Sequence, residues 1–455
     1  MIFALADAVA ATGARTIGEG FPEAIAVSTD TRQIARGSAF LALRGERFDG
    51  HKFVEEAFAR GAGCAIVDDA AEVPEGKPAL VVADTLRAYL ALGGLARSRV
   101  RGTVVGITGS TGKTTTKQFL LDLLRGAGVN AVATPENENN EVGVAKFLCA
   151  LDDGDERVAI VEMGARKFRD LDPLVEAAKP DVGVLTNIGE AHLEIMGTPE
   201  RIAETKWALP SGAREAVLNL ADTASAGRAA TLAHRPLWFG IDEERPPHGE
   251  RAVVLGAEAA WTVGADGVTE THRIDIGFPG DHNRRNLAAA FATALLCGGS
   301  ADRLAAAVAA LHLPHGRYEI SEAGDVRVIF DAYNASLSGT IATLATFGRE
   351  NATRRIAVLG GMKELGADAP AMHEKIGELG ARFAAVVLAG GDFAADTARG
   401  AQRAGCPAVI AYKNNAEAIA WLTDNVGRGD VVLLKGSRAY KMEEIAEALG
   451  AEVFA

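Results

Sequence analysis

Apolar residues fall along this chain in short β-branched runs separated by stretches with helical spacing. The runs at 103–108, 158–161 and 182–186 read as strands with amphipathic helices between them, the alternation of a parallel sheet covered by helices. After residue 350 the pattern returns, and RRIAVLGG, AAVVLAGG and DVVLLKGS each predict a strand entering a glycine-bearing turn, with a helix at 372–383. Ligands gather at such carboxyl ends in open α/β sheets. The first 98 residues predict a smaller mixed unit, with strands near 39–43, 64–67 and 80–82 and an amphipathic helix in MIFALADAVAATGA. The expectation is an α/β chain of three domains at about 1–98, 99–312 and 313–455, with 97–101 as a linker. The uncharged apolar run at 286–301 is too short and too rich in Ala and Gly to span a bilayer and predicts a buried helix.

Composition narrows the class. A length of 455 residues exceeds one ordinary core, and 48% hydrophobic with 24% charged residues is a globular balance. The formal charge of −13 argues against a nucleic-acid or acidic-membrane binder. The N-terminal stretch lacks a basic n-region and carries Asp7, so a cytoplasmic location is expected. Cys64, Cys149, Cys297 and Cys406 are scattered without a CxxC pair, predicting reduced thiols rather than a zinc site or disulfides.

The strongest chemical signal is the predicted strand 103–108 followed by Gly109, Ser110, Thr111, Gly112, Lys113 and Thr114, then Thr115 and a helical run. Strand, glycine loop and helix occur in the order a triphosphate cradle requires. The glycines let backbone N–H groups converge on phosphate oxygens, the helix N-terminus adds a positive dipole, Lys113 adds a full charge and the Thr114 hydroxyl can ligate magnesium. Ile107 stands where the general motif has its first glycine. Two further strand ends carry candidates: Glu162, in EMG, for a magnesium-holding carboxylate, and His192, in NIGEAH. Lys206 falls in a predicted helix at 199–208, where most lysines are solvated.

Taken together, GITGSTGKTTTK (106–117), ENENNEVGV (136–144), VEMG (161–164), TNIGEAHLE (186–194) and GDHNRRNLAAA (280–290) resemble the Mur ligases, ATP-dependent amide-forming enzymes of peptidoglycan precursor synthesis. The resemblance implies a small UDP-sugar-peptide domain, a central P-loop ATPase-like domain and a Rossmann-like C-terminal domain that closes on ATP and binds the incoming amine. It implies that a substrate carboxylate is phosphorylated by ATP and the acyl phosphate is then attacked by an amine. By the same resemblance Lys113, His192 and Lys206 are catalytic. Thr114, Glu162, His192 and Lys206 would hold magnesium, as two ions. The lysine matching Lys206 is carbamylated in this family. Asn283, Asn286, Arg317 and Asp331 match nucleotide contacts.

Two end regions bear on the substrates. STDTR (28–32), with AFLALRGERFDGHKF (39–53), is similar to the nucleotide-sugar domain of the two later ligases of the pathway, and makes Ser28, Asp30 and Arg32 candidates for the uridine diphosphate group. GGMKELGADAPAMHEKIG and DVVLLKGSRAYKME resemble the member that adds D-alanyl-D-alanine to UDP-N-acetylmuramoyl tripeptide, with Lys435, Ser437 and Arg438 placed to meet peptide or dipeptide carboxylate. The resemblance implies a monomer. DAYNASLSG (331–339) departs from the family's DDSYNANP-like segment, so the alternative is a ligase like the preceding, amino-acid-adding member, or a paralogue joining a different amine to a different acid.

Overall fold

The computed structural model describes residues 1–45, 48–135 and 138–452; Glu46, Arg47, Glu136 and Asn137, which belong to two of the quoted motifs, and residues 453–455 lie outside them. Three main sheets follow one another along the chain. The first runs in the order Arg15–Ile17, Ala79–Val81, Cys64–Val67, Ala39–Leu41, Val27–Ser28, parallel except for its first strand. The third spans Glu319–Ala323 to Asp430–Gly436 and is parallel apart from the Glu319–Ala323 edge.

The central sheet has nine strands. Val104–Thr108 lies between Val158–Glu162 and Val182–Leu185, all parallel, with Ala131–Ala133 at the edge. From Val104–Thr108 the chain builds one side of the sheet and then crosses to the other, and such a reversal opens a crevice at the carboxyl ends. Ile107 pairs with Glu162 on one side and Val184 on the other, so the ends of the three strands are level. Every residue of Val104–Thr108 and Val158–Glu162 is buried, as continuous apolar runs covered on both faces should be.

Several elements differ from the pattern-based expectation. The N-terminal stretch begins as a strand, Phe3–Ala4, paired with Ala24–Ile25, and only Leu5–Thr12 is helical, ending at Gly13 in the left-handed region. The segment 97–101 is no free tether: the helix Thr85–Arg99 packs on the central domain, and Arg97 donates to the Ala178 and Lys179 carbonyls and pairs with Asp181 at 2.8 Å. The apolar run at 286–301 overshoots its helix, which is Asp281–Leu296, because Gly298 and Gly299 form a turn that ends it. The helix bearing Lys206 continues to Gly212 with Pro210 in its last turn, which leaves the Lys206 carbonyl without its helical N–H partner.

The C-terminal domain is docked on the central one. Arg349 pairs with Asp281 at 3.0 Å and Arg166 with Glu364 at 2.6 Å. A Cβ placed on Gly189 would lie 3.3 Å from Ser338 Oγ, so the divergent DAYNASLSG segment rests against the glycine loop's neighbour.

Candidate active site

The glycine loop joins Val104–Thr108 to the helix Lys113–Gly126. Gly109 and Gly112 are glycines because nothing else fits. Both have positive φ, and a Cβ would lie 1.8 Å from Thr186 Oγ1 at Gly109 and 2.2 Å from Asn286 Oδ1 at Gly112. The loop is clamped from the 186–189 segment. Thr186 Oγ1 donates to the Thr111 carbonyl at 2.6 Å, Asn187 accepts from Thr111 N–H and donates to Thr111 Oγ1, and Ser110 Oγ exchanges hydrogen bonds with the Gly189 backbone. Thr115 is buried in the helix, and Lys113 Nζ caps the Gly109 carbonyl at 2.8 Å.

Glu162 is held from three sides. Its Oε1 accepts from Thr114 Oγ1 at 3.2 Å and Asn139 Nδ2 at 3.0 Å, and its Oε2 lies 3.1 Å from Lys117 Nζ. Burial pushes this carboxyl up, but Lys117, Lys113 and Asn139 more than offset it, so the group sits below the usual carboxylate range. Lys117 is anchored in turn on the Thr134 carbonyl at 3.0 Å. Asn139 and Lys117 were given no role from sequence, although both lie inside quoted motifs. A charged residue at a buried helical position inside the loop motif was the available signal for Lys117.

His192 sits where the Val182–Leu185 strand's following segment turns into a short helix, in the left-handed region at φ 62°. Its Nδ1 bonds Glu364 Oε2. Burial lowers its pKa below the ordinary imidazole value, Lys206 and Lys113 add to this, and Glu364 opposes it. Lys206 is no solvated helix lysine: it is 1% exposed, and burial, followed by the nearby Lys113 charge, pulls its ammonium down to about 7. Among the described residues no carboxylate pairs with it at salt-bridge distance.

The other expected contacts divide. Asn286 abuts the loop at Gly112, whereas Asn283 donates to the Pro279 carbonyl at 2.9 Å, a bond within its own helix entry. Arg317 stacks over Tyr333 at 4.2 Å and is close enough to Lys113 and Lys435 to lower the pKa of each, after burial. Asp331 is buried against Lys435 at 3.1 Å and accepts from Thr343. Among the described residues Ser437 Oγ and Thr340 Oγ1 are buried without a hydrogen-bond partner; Thr340 lines a narrow cavity with Gly361 and Lys435, and Arg438 is exposed. Ser28, Asp30 and Arg32 form a turn of their own in the first domain, where Arg32 grips Asp30 and holds its carboxyl down at about 2. The described structure does not bring them to the glycine loop by any hydrogen bond.

Lys206, His192 and Arg317 therefore each lie near enough to Lys113 to feel its charge, and Lys113 in turn faces the Glu162 carboxylate, which accepts from Thr114. Among the described residues no three His, Cys, Asp or Glu side chains form a ready metal cage. The Thr114–Glu162 oxygens suit magnesium, which takes one or two protein oxygens and completes its shell with phosphates and water.

An α/β fold with a phosphate loop at its switch point and a docked C-terminal domain is the layout of a nucleotide-binding enzyme, and the chain belongs to the Mur ligase family of ligases. "Mur ligase family, catalytic domain" matches residues 25–98, "Mur ligase middle domain" 107–294 and "Mur ligase, glutamate ligase domain" 316–438. The chain is 34% identical to UDP-N-acetylmuramoyl-tripeptide–D-alanyl-D-alanine ligase of Synechocystis, over 94% of this chain and 92% of that one, and 31% identical to the Bacillus subtilis enzyme of the same name, over 93% and 92%. Among solved structures it is similar to MurF from Acinetobacter baumannii (TM-score 0.85, 28% identity, 99% of each chain). It is also similar to MurF ligase from Thermotoga maritima in complex with ADP (TM-score 0.80, 28% identity, 93% of this chain and 97% of that one).

Proposed function

We propose that this chain is the ligase that joins D-alanyl-D-alanine to UDP-N-acetylmuramoyl tripeptide, using ATP and releasing ADP and phosphate. The observation that carries the reading is the cluster of positive and ring groups around Lys113, with Lys206, His192 and Arg317 near it and Lys113 itself facing Glu162, which accepts from Thr114. Such a site suits a reaction in which anions must approach one another.

The glycine loop cradles the phosphates and Lys113 offsets charge on the transferred one. The substrate carboxylate attacks the γ-phosphorus, breaking its bond to the ADP oxygen. The amine of the dipeptide then attacks the acyl carbon, phosphate leaves, and loss of the amine's extra proton completes the amide. Thr114 and Glu162 would hold one magnesium ion and His192, with carbamylated Lys206, a second; bound magnesium would neutralise and polarise the phosphates. Carbamylation joins the Lys206 nitrogen to CO2 with release of a proton, and an amine already brought to about 7 by burial is poised for it. Arg317 and Asp331 would reach the nucleotide from the docked domain and exclude water from the acyl phosphate. Asn283 and Asn286 would border the nucleotide, Ser28, Asp30 and Arg32 the uridine diphosphate, and Lys435, Ser437 and Arg438 the peptide or dipeptide carboxylate.

No helix among the described residues is long and apolar enough to cross a membrane. With ATP and a nucleotide-linked peptide as substrates, we place the enzyme in the cytoplasm as a monomer. The test is phosphate release from ATP with UDP-N-acetylmuramoyl tripeptide plus D-Ala-D-Ala, against single amino acids. Turnover with the dipeptide alone is expected; release only with a single amino acid would assign a different member of the family.

A further inference from the structure

Glu364 comes from the C-terminal domain, in the turn after the strand Arg354–Gly361, yet both carboxylate oxygens and the backbone carbonyl are committed to the central domain. Oε2 meets His192 Nδ1, Oε1 accepts from Arg166 at 2.6 Å, and its backbone carbonyl accepts from Glu194 N–H at 3.3 Å. The contact is tightly built on both sides. Glu364 and His192 both adopt left-handed backbone, at φ 61° and 62°, conformations that side-chain-bearing residues keep only where the surroundings hold them. A Cβ on Gly366 would lie 3.4 Å from Glu194 Cα, so the two turns lie in van der Waals contact.

A carboxylate on Nδ1 makes that nitrogen the N–H donor and leaves Nε2 with the free lone pair, the arrangement in which metal-ligating histidines are held. We propose that Glu364 is the positioning residue for His192, and that because it arrives from the other domain, docking of that domain is what sets the ring's tautomer and orientation. The inference rests on reading His192 as a metal ligand. An interdomain ion pair that merely joins two bodies would not need to end on that ring. Arg349–Asp281 provides the comparison: it also joins the two domains but does not touch His192.

The experiment uses the full chain with Mn2+ as the probe. Mn2+ binding is followed by electron paramagnetic resonance with a non-hydrolysable ATP analogue, and the Mg2+ concentration for half-maximal turnover is measured beside it. Glu364→Ala should weaken the weaker-bound Mn2+ and raise the Mg2+ requirement roughly 10- to 100-fold, with KM for ATP little changed. Glu364→Gln, whose amide oxygen still accepts from Nδ1–H, should regain most of the loss. Glu364→Gly relieves the left-handed backbone and must show the same defect in a chain that folds at least as well. Arg349→Ala should leave Mn2+ binding unchanged. Wild-type Mn2+ affinity in Glu364→Ala and Glu364→Gly, or an equal loss in Arg349→Ala, overturns the proposal. His192→Ala separates the two ideas: if it leaves Mn2+ binding intact, the metal reading of His192 fails, whereas if it weakens binding and the Glu364 variants do not, only the positioning role fails.

Discussion

Replacing Lys117 by methionine removes one half of the most deeply buried ion pair in the site while keeping the unbranched stem of the side chain to within one atom. Both partners are 3% exposed and lie 3.1 Å apart. At that separation and an effective dielectric near 20 the attraction is about 5 kcal/mol, before either group's desolvation is counted. In Lys117→Met the lysine's desolvation cost disappears, but Glu162 stays buried with only Thr114 and Asn139 as donors. A loss of about 3 to 4 kcal/mol at neutral pH is expected, within the range for a buried pair broken on one side. The pH dependence gives the sign. In the parent chain Glu162 is held below the ordinary carboxylate value of 4.5, so its contribution is present above that pH and is lost as pH falls through the folded-state value. Without Lys117 the carboxyl moves up and neutralises more readily, so the deficit of the variant shrinks on acidification. Urea unfolding without magnesium measures both effects. The double variant Lys117→Met/Glu162→Gln should recover most of the loss, because the stranded charge is gone. A deficit under about 1 kcal/mol, or a double variant no better than the single one, would refute the reasoning.

Gly112→Ala should weaken binding of an ATP analogue at least tenfold in calorimetry: the left-handed backbone costs about 1 kcal/mol or more and the new methyl would sit 2.2 Å from Asn286 Oδ1. Parent-like affinity would mean that the loop does not need this conformation to bind. For Lys206, labelled CO2 should form a carbamate detectable by 13C resonance whose occupancy, at fixed dissolved CO2, rises as pH increases through about 7 rather than near an ordinary lysine's range. Lys206→Ala should be partly reactivated by short carboxylic acids, and indifference to them counts against an anion at that position.

Much of the fold was readable from local pattern because its signals are local. Strands buried on both faces demand unbroken apolar runs, and Val104–Thr108, Val158–Glu162 and Val182–Leu185 lie within a residue of where those runs place them. The glycine loop was readable because positive φ and close backbone approach admit only glycine at 109 and 112. Helix ends were less legible. The run at 286–301 is buried only as far as Ala294, and the helix, which begins before it at Asp281, stops where two glycines turn the chain.

What pattern left open depends on contacts between residues far apart in the chain. The burial of Lys206 follows from its helix being laid against the central sheet, which a count of polar residues cannot reveal. Lys117 and Asn139 acquire meaning only when three strands and a helix bring them to Glu162. Glu364 lies 172 residues from His192, and nothing near either one announces the pair. Local sequence specifies backbone conformation because sterics and hydrogen bonding act over a few residues. The charge, orientation and hydration of a side chain are set by whatever folds against it, and here that is decided by how one domain docks on the next.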